Sequence, residues 1–527
     1  MSGRQQSAFD VVGPFGSPDG SRAELDDMLS DFVEFDGDPG SGGLATRADD
    51  SKVRVIAGKL GSGKTVYMRR LQDHQAHQDS VYAHLPEHDP PKTEVIVTAC
   101  QWFTGQVLVE KWMQIWDRAI LRSLASQLLL HRELRHQVSE EHREEIKRDY
   151  GRLLGEVRRP RDIYSELSNM IHERHTAHQM SSYLDDPLWE DLKDLLGEVL
   201  AHTKPVYFYL DAVDEEFGHA PMYWLKCQEG LFYQVMRLLR DPRLGGRLHV
   251  VVSIRDIVMS AIYRSEHAPR YQNEPHIRLL SWDSDSLLHL LRQKLERLPR
   301  SSLMRHPTNG TTVRDWLGVT AVTDEWGGGK ERVEDHLLRH TRMIPRDVIS
   351  LGNALAREIL RQRKAGRDRL PDPVLRDVVA RCAKQFGDSQ LAQCANQISS
   401  DLMPSSAGRY DFTGVYTGDQ AYIGGIIEQM RSLIRLMKVD QFPRSELDGL
   451  REIANPYFES ATDIASVLWQ NGLLGYVDER GVRQFYSLGD IEEFALPPEV
   501  DAYVIHPCLA RSIGLASVRS TTGASTQ

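Results

Sequence analysis

The stretch VIAGKLGSGKTVYMRRL, Val55 to Leu71, decides how this chain is read. A short apolar run leads into three glycines, a lysine and a threonine. A run of helix formers follows. Gly58, Gly63, Lys64 and Thr65 match G-x-x-x-x-G-K-[ST] in full, between an expected strand and an expected helix, which is the context the motif requires. Glycines let a backbone curl until its N–H groups face a triphosphate. In that role Lys64 reaches the β- and γ-phosphates and Thr65 offers its hydroxyl to Mg²⁺. Gly61, Ser62 and Val66 complete the cradle, and the helix start adds its dipole. The stretch therefore predicts ATP and Mg²⁺ as the bound pair.

A phosphate loop needs an acidic partner for the metal. VYFYLDAVDEEFG supplies one: the apolar run Val206–Leu210 ends in Asp211, which the pattern places at the C-terminal tip of a buried strand. Asp211 is expected to hold Mg²⁺, directly or through water. Asp214 and Glu215 follow, and either could orient or deprotonate the attacking water. The next apolar run, LHVVVS, leads into Ile254, Arg255 and Asp256. Arg255 then falls on the same edge, either reading the γ-phosphate or pairing with Asp256 or another acid.

Working outward, VRVIA, EVIVTA, VYFYL, LHVVVS and HIRLL (Val53–Ala57, Glu94–Ala99, Val206–Leu210, Leu248–Ser253 and His276–Leu280) read as buried parallel strands. Helical patterns lie between them, at Gly105–Leu130 and Ser284–Leu298 for instance, and the long stretch 133–202 reads as a helical insertion. Strands alternating with helices predict an α/β fold with a doubly wound parallel sheet. The layout is an acidic flexible tail over 1–50, a P-loop ATPase core over 51–300, a helical lid over 301–400, and a winged-helix domain with its tail over 401–527. The last rests on a helix at Ala461–Gln470, a stop at Gly472, and the strand–turn–strand LLGYV, DERG, VRQFY (Leu473–Tyr486).

Bulk properties agree. With 527 residues the chain exceeds one core. A net charge of −11 argues against indiscriminate nucleic-acid binding. Five scattered cysteines without a CxxC suggest a reduced, cytoplasmic protein. The first residues carry no apolar signal segment and no window is long and apolar enough to span, so neither secretion nor a membrane span is expected.

Taken in order, Gly58–Thr65, YLDAVDE, VVSIRD, RMIPRDVISLGNAL and the winged-helix pattern resemble the STAND class of AAA-like P-loop ATPases. These are signal-transducing switches, and bacterial members of this size are often linked to antiphage defence. The resemblance spans residues 53 to 510. It implies a slow ATPase that assembles into a homo-oligomer on binding ATP, with a protein partner or effector. It also implies that Pro345 sits near the nucleotide, that Arg346 is a sensor arginine of the lid, and that His506 in YVIHPCL contacts ADP. Pro507 stands where the class carries an acid.

The second reading is a DNA-binding loader or regulator that uses its winged helix. ESATDIASVLWQNG contains no lysine or arginine, so the expected reading helix lacks the cationic side chains of a DNA reader. The basic run Arg357–Arg369 is the alternative phosphate-tracking face, or a solvated helix surface. A non-hydrolysing nucleotide-binding scaffold and a small-metabolite kinase complete the set.

Overall fold

A computed structural model describes residues 13–20, 52–78, 80–84, 93–103, 107–211, 221–244, 246–263, 265–271, 273–305, 311–323, 329–402, 412–458, 463–486, 496 and 500–517, with backbone only for 93, 221–223, 399–402, 412–422 and 457–458. Among the described residues no helix is long and apolar enough to cross a membrane. The chain forms two compact units. One comprises Arg47–Ala57 and Tyr67–Leu279, the other Met1–Thr46, Gly58–Val66 and Leu280–Gln527.

The first unit is built on a parallel sheet of five strands, β1 (Val55–Gly58), β2 (Tyr82–His84), β3 (Val206–Leu210), β4 (Leu248–Arg255) and β5 (Ile277–Leu280), in the order β2-β3-β4-β1-β5. Tyr82 pairs with Val206, and Val206 with Leu248. Every residue of β1 and β3 is buried, because a parallel sheet carries helices on its faces; this is why both strands read as unbroken apolar runs. Four of the five expected strands are in place. The fifth, Glu94–Ala99, is not a strand: it lies in the helix Thr93–Trp102, which packs on the helices Ile163–His172 and Pro221–Leu239. A short apolar run fits either a buried strand or a buried helix, and here tertiary packing chose the helix. The true fifth strand is β2, three residues long.

The stretch 133–202 is helical as expected. Its helices, including Glu140–Leu154, Ile163–His172 and Leu188–Ala201, pack on or beside the long helix Leu108–Leu130. That helix buries charge as well as Trp112 and Trp116. Arg122 Nε donates to Glu166 at 2.7 Å, and both side chains are wholly buried. Lys193 Nζ donates to Asp117 at 3.1 Å.

In the second unit the helix Ser284–Glu296 opens with a capping box between Asp283 and Ser286 and buries Leu287, Leu291 and Leu295. The 301–400 region carries the expected helices, among them Val333–Arg339, Pro345–Lys364 and the start of Asp372–Leu402. It is not wholly helical: β6 (Ala321–Thr323) and β7 (Lys330–Arg332) form an antiparallel hairpin. Three-residue strands give too little alternation to register as a pattern.

Toward the C-terminus, β8 (Gln441–Phe442), β9 (Leu474–Val477), β10 (Arg483–Phe485) and β11 (Ala502–Ile505) form a sheet in the order β10-β9-β11-β8. Its pairs are antiparallel, with Val477 opposite Arg483 and Leu474 opposite Ile505. The helix Ile464–Gln470 precedes β9. Gly472 turns the chain between them at φ 67°, a left-handed conformation that glycine takes at little cost.

One expectation for the N-terminal tail is corrected. Gly13–Gly20 is not a free tail. Phe15 is wholly buried, its ring centroid 5.1 Å from that of Trp316. Its N–H donates to Asn353 Oδ1 at 2.9 Å, and Asn353 Nδ2 donates to the Gly16 carbonyl at 2.9 Å. An aromatic that buries its whole ring outweighs the local Gly and Ser content.

Candidate functional site

The loop 58–66 belongs to the second unit. Gly61 and Gly63 take φ 87° and 98°, a region closed to most side chains, which is why glycines stand there. Trp282 Nε1 donates to the Ser62 carbonyl at 2.8 Å and fixes the crest of the loop. Lys64 folds back over the loop: its Nζ donates to the carbonyls of Gly58 and Lys59 at 3.0 and 3.2 Å. The helix Lys64–Ala76 starts at that residue, so its first N–H groups and the ammonium serve one region.

Two features of this loop suit an anion. A Cβ on Gly58 would stand 2.6 Å from Ser62 Oγ, so only a bare backbone closes the curl. Ser62 Oγ is buried and has no hydrogen-bond partner among the described residues. A buried hydroxyl without a partner is costly, and a bound oxygen would satisfy it. Lys64, Thr65 and the loop N–H groups can therefore hold a polyphosphate.

Arg346 meets the loop inside the same unit. Pro345 occupies the first turn of Pro345–Lys364, where a missing N–H costs nothing. The Arg346 N–H donates to the Gly61 carbonyl at 3.3 Å, and a Cβ on Gly61 would lie 2.8 Å from Arg346 Cβ. Arg346 Nε donates to the Pro18 carbonyl at 3.1 Å. Gly20 stands beside Thr65 and Val66. The turn feeding this helix places Met343 at φ 55°, which for a residue with a Cβ costs roughly 1–2 kcal/mol. A buried ion pair spans the turn: Arg342 donates to Asp347 from Nη2 at 2.7 Å, from Nε at 2.9 Å and from its backbone N–H at 2.9 Å.

The C-terminal sheet reaches the loop through Lys59, whose Nζ donates to the Tyr486 carbonyl at 3.0 Å. His506 lies nearby. It caps the helix Pro507–Ile513, accepting the Cys508 N–H at 3.2 Å, and its ring meets Phe485 edge-on at 4.6 Å. Burial pushes the His506 imidazole down to about 3, and the charges of Lys59, Arg342 and Arg483 push the same way. An unfolded His506 takes a proton near pH 6.5 and the folded one only near pH 3, so acidification favours the unfolded state throughout that window. The slope is about 1.4 kcal/mol per pH unit for one such group. His506→Asn keeps a capping side chain and removes the titration. Urea unfolding from pH 7 to pH 4 is expected to show a shallower acid limb in the variant, by about one proton. His340, also held neutral by burial, contributes in the same direction.

In the first unit, Asp211 directly follows β3 and is partly exposed. Ser253, near the end of β4, donates its hydroxyl to Asp211 Oδ1. Tyr164, from Ile163–His172, donates its hydroxyl to the Asp211 carbonyl at 2.5 Å. Arg255 is buried as the last residue of β4, and Asp256 opens the next helix. The ends of β1, β3 and β4 share one edge of the parallel sheet. A partly exposed carboxylate held by a hydroxyl is a fitting hard-oxygen ligand for Mg²⁺. Asp214 and Glu215 lie outside the described residues.

Sequence reasoning missed Lys59, Trp282, Pro18 and Tyr164. Lys59 occupies a variable position of the loop motif. The other three act through single hydrogen bonds that carry no periodic signal. Scanned against protein-family models, curated proteins and solved structures, the chain matches none.

Proposed function

We propose that the chain is a Mg²⁺-dependent ATPase acting as a molecular switch, with a P-loop core, a helical lid over 301–400 and a C-terminal winged helix. The observation that carries this reading is the loop 58–66, where Lys64 folds back over the loop carbonyls and Ser62 Oγ is buried without a described partner. ATP with Mg²⁺, when bound, would supply the phosphoanhydride whose loss of the γ-phosphate changes the charge at the loop. The chain's own roles follow from its chemistry. Lys64 and the loop N–H groups bind the phosphates, and Thr65 and Asp211 bind Mg²⁺. Asp214 or Glu215 orients the water. Arg255 and Arg346 sense the γ-phosphate. His506 contacts ADP, and Pro345 sits near the nucleotide.

The contacts of Arg346 and Lys59 with other parts of their unit support a switch rather than a plain hydrolase. Each joins the loop to a segment distant in sequence, so a change of charge at the loop reaches the lid helix and the C-terminal sheet. A role in bacterial defence or signalling, with a homo-oligomer and a protein effector, rests on the resemblance alone.

The winged helix is read as a protein-packing element. Ile464–Gln470 buries Ile464, Ala465, Val467, Leu468 and Trp469. Gln470 accepts from Gln397 Nε2 at 2.8 Å, and Asn471 Nδ2 donates to Gln397 Oε1 at 2.7 Å. The amides that could face bases are thus engaged by the helix Asp372–Leu402. The test is particle mass in solution, apo and with Mg·ATP, each with and without duplex DNA. A closed multimer formed with ATP alone is the expected result. A rise in mass only when DNA is added would support the loader reading instead.

A further inference from the structure

The helical stretch 133–202 packs on the long helix Leu108–Leu130. One of its side chains touches the acid that the ATPase reading assigns to Mg²⁺. We propose that Tyr164 is a positioning residue for Asp211, an inference that rests on that reading.

Tyr164 is 2% exposed, and its hydroxyl donates to the main-chain carbonyl of Asp211 at 2.5 Å. Ser253 holds the carboxylate of the same residue through Oδ1. Asp211 is therefore gripped at both ends, carbonyl and side chain. A residue at the tip of a strand has lost the ladder bonds that fix its peptide plane, so its orientation depends on such grips. With the plane set by Tyr164 and Oδ1 engaged by Ser253, the direction of Oδ2 is set as well.

Tyr164 is itself firmly placed. Asp162 caps its helix by accepting the Ser165 N–H at 2.7 Å. Ser123 and Ser126 of the long helix donate to the Arg161 carbonyl at 2.8 and 3.2 Å. Glu166, one turn from the cap, is tied to Arg122. The hydroxyl is thus mounted on a buried polar network and transmits the position of this helix to the acidic tip. A purely structural tyrosine would need only some carbonyl; this one takes the carbonyl of the expected metal ligand.

The experiment is Tyr164→Phe in the full chain, with Tyr82→Phe as a matched control. The Tyr82 hydroxyl is also buried and donates to Gln127 at 3.0 Å, within the layer of helices. Two readouts are taken: turnover as a function of Mg²⁺ concentration, and calorimetric affinity for ADP with and without Mg²⁺. Loss of one such hydrogen bond is expected to raise the Mg²⁺ midpoint by about three- to tenfold and to lower kcat by a similar factor. Affinity for ADP without Mg²⁺ and the response of Tyr82→Phe are expected to stay at the wild-type level.

A Mg²⁺ midpoint in Tyr164→Phe equal to that of wild type overturns the inference and leaves the ATPase reading standing. A wild-type chain whose nucleotide affinity ignores Mg²⁺ overturns that reading, and the inference with it. Should Tyr164→Phe not fold, a fluorinated tyrosine at position 164 changes the donor strength of the hydroxyl while keeping the ring. It must move the Mg²⁺ midpoint, and an unmoved midpoint overturns the inference.

Discussion

Replacing Lys64 by alanine is expected to cut ATP turnover by about 10²–10³-fold, the usual cost of removing one preorganised donor from a site of developing charge. Affinity for Mg·ATP should fall too, because the lost group is a full positive charge in a buried setting. The loop itself should survive. Its shape is held by the glycine conformations, by the Trp282 bond to the Ser62 carbonyl and by the Arg346 N–H bond to the Gly61 carbonyl. Lys64→Arg should not rescue. The ammonium reaches two carbonyls, of Gly58 and Lys59, from one nitrogen at 3.0 and 3.2 Å, and a planar guanidinium cannot reproduce that compact point of charge. Steady-state hydrolysis beside a thermal-unfolding control checks this. A Lys64→Ala protein that turns over at the wild-type rate would remove the loop from the account.

The largest stability effect is expected at Arg122. Its Nε donates to Glu166 at 2.7 Å, and its Nη1 donates to Glu173 and to the Tyr183 hydroxyl at 3.1 Å each. Burial pushes the Glu166 carboxyl upward, while Arg122 and Arg161 hold it down. Arg122→Met fills a similar volume but leaves Glu166 buried with only Arg161, at 3.4 Å. Breaking one side of such a pair costs about 3–5 kcal/mol. Adding Glu166→Leu should return most of that loss, since an apolar pair of similar volume is often neutral relative to a buried ion pair. Chemical denaturation of the two variants checks the contrast. Equal losses in single and double variant would mean that packing, not charge, governs this site.

Much of the sheet is legible in the sequence because parallel strands are buried on both faces. Val206–Leu210 and Leu248–Arg255 stand out as apolar runs, and their ends place Asp211, Ser253 and Arg255 on one edge. The hairpin of β9 and β10 is legible for a different reason: DERG between two strand-like runs signals a turn. The failures are equally physical. EVIVTA has the composition of a strand and the packing of a helix. β2 and β8 are too short to show any period. Phe15 reads as one aromatic in a polar stretch, and its partner Asn353 stands 338 positions away. Of the candidate site, Lys64, Thr65 and Asp211 stand in patterns that the sequence itself displays. Those that act through one hydrogen bond to a backbone carbonyl, Tyr164 above all, carry no signature in the sequence.

The most direct test of the central claim is a calorimetric titration of the full chain with ATP in the presence of Mg²⁺, repeated with Lys64→Ala. Saturable binding at one site per chain, lost or greatly weakened in the variant, is the result the account predicts. No saturable heat at millimolar ATP, or equal binding by both proteins, would contradict it.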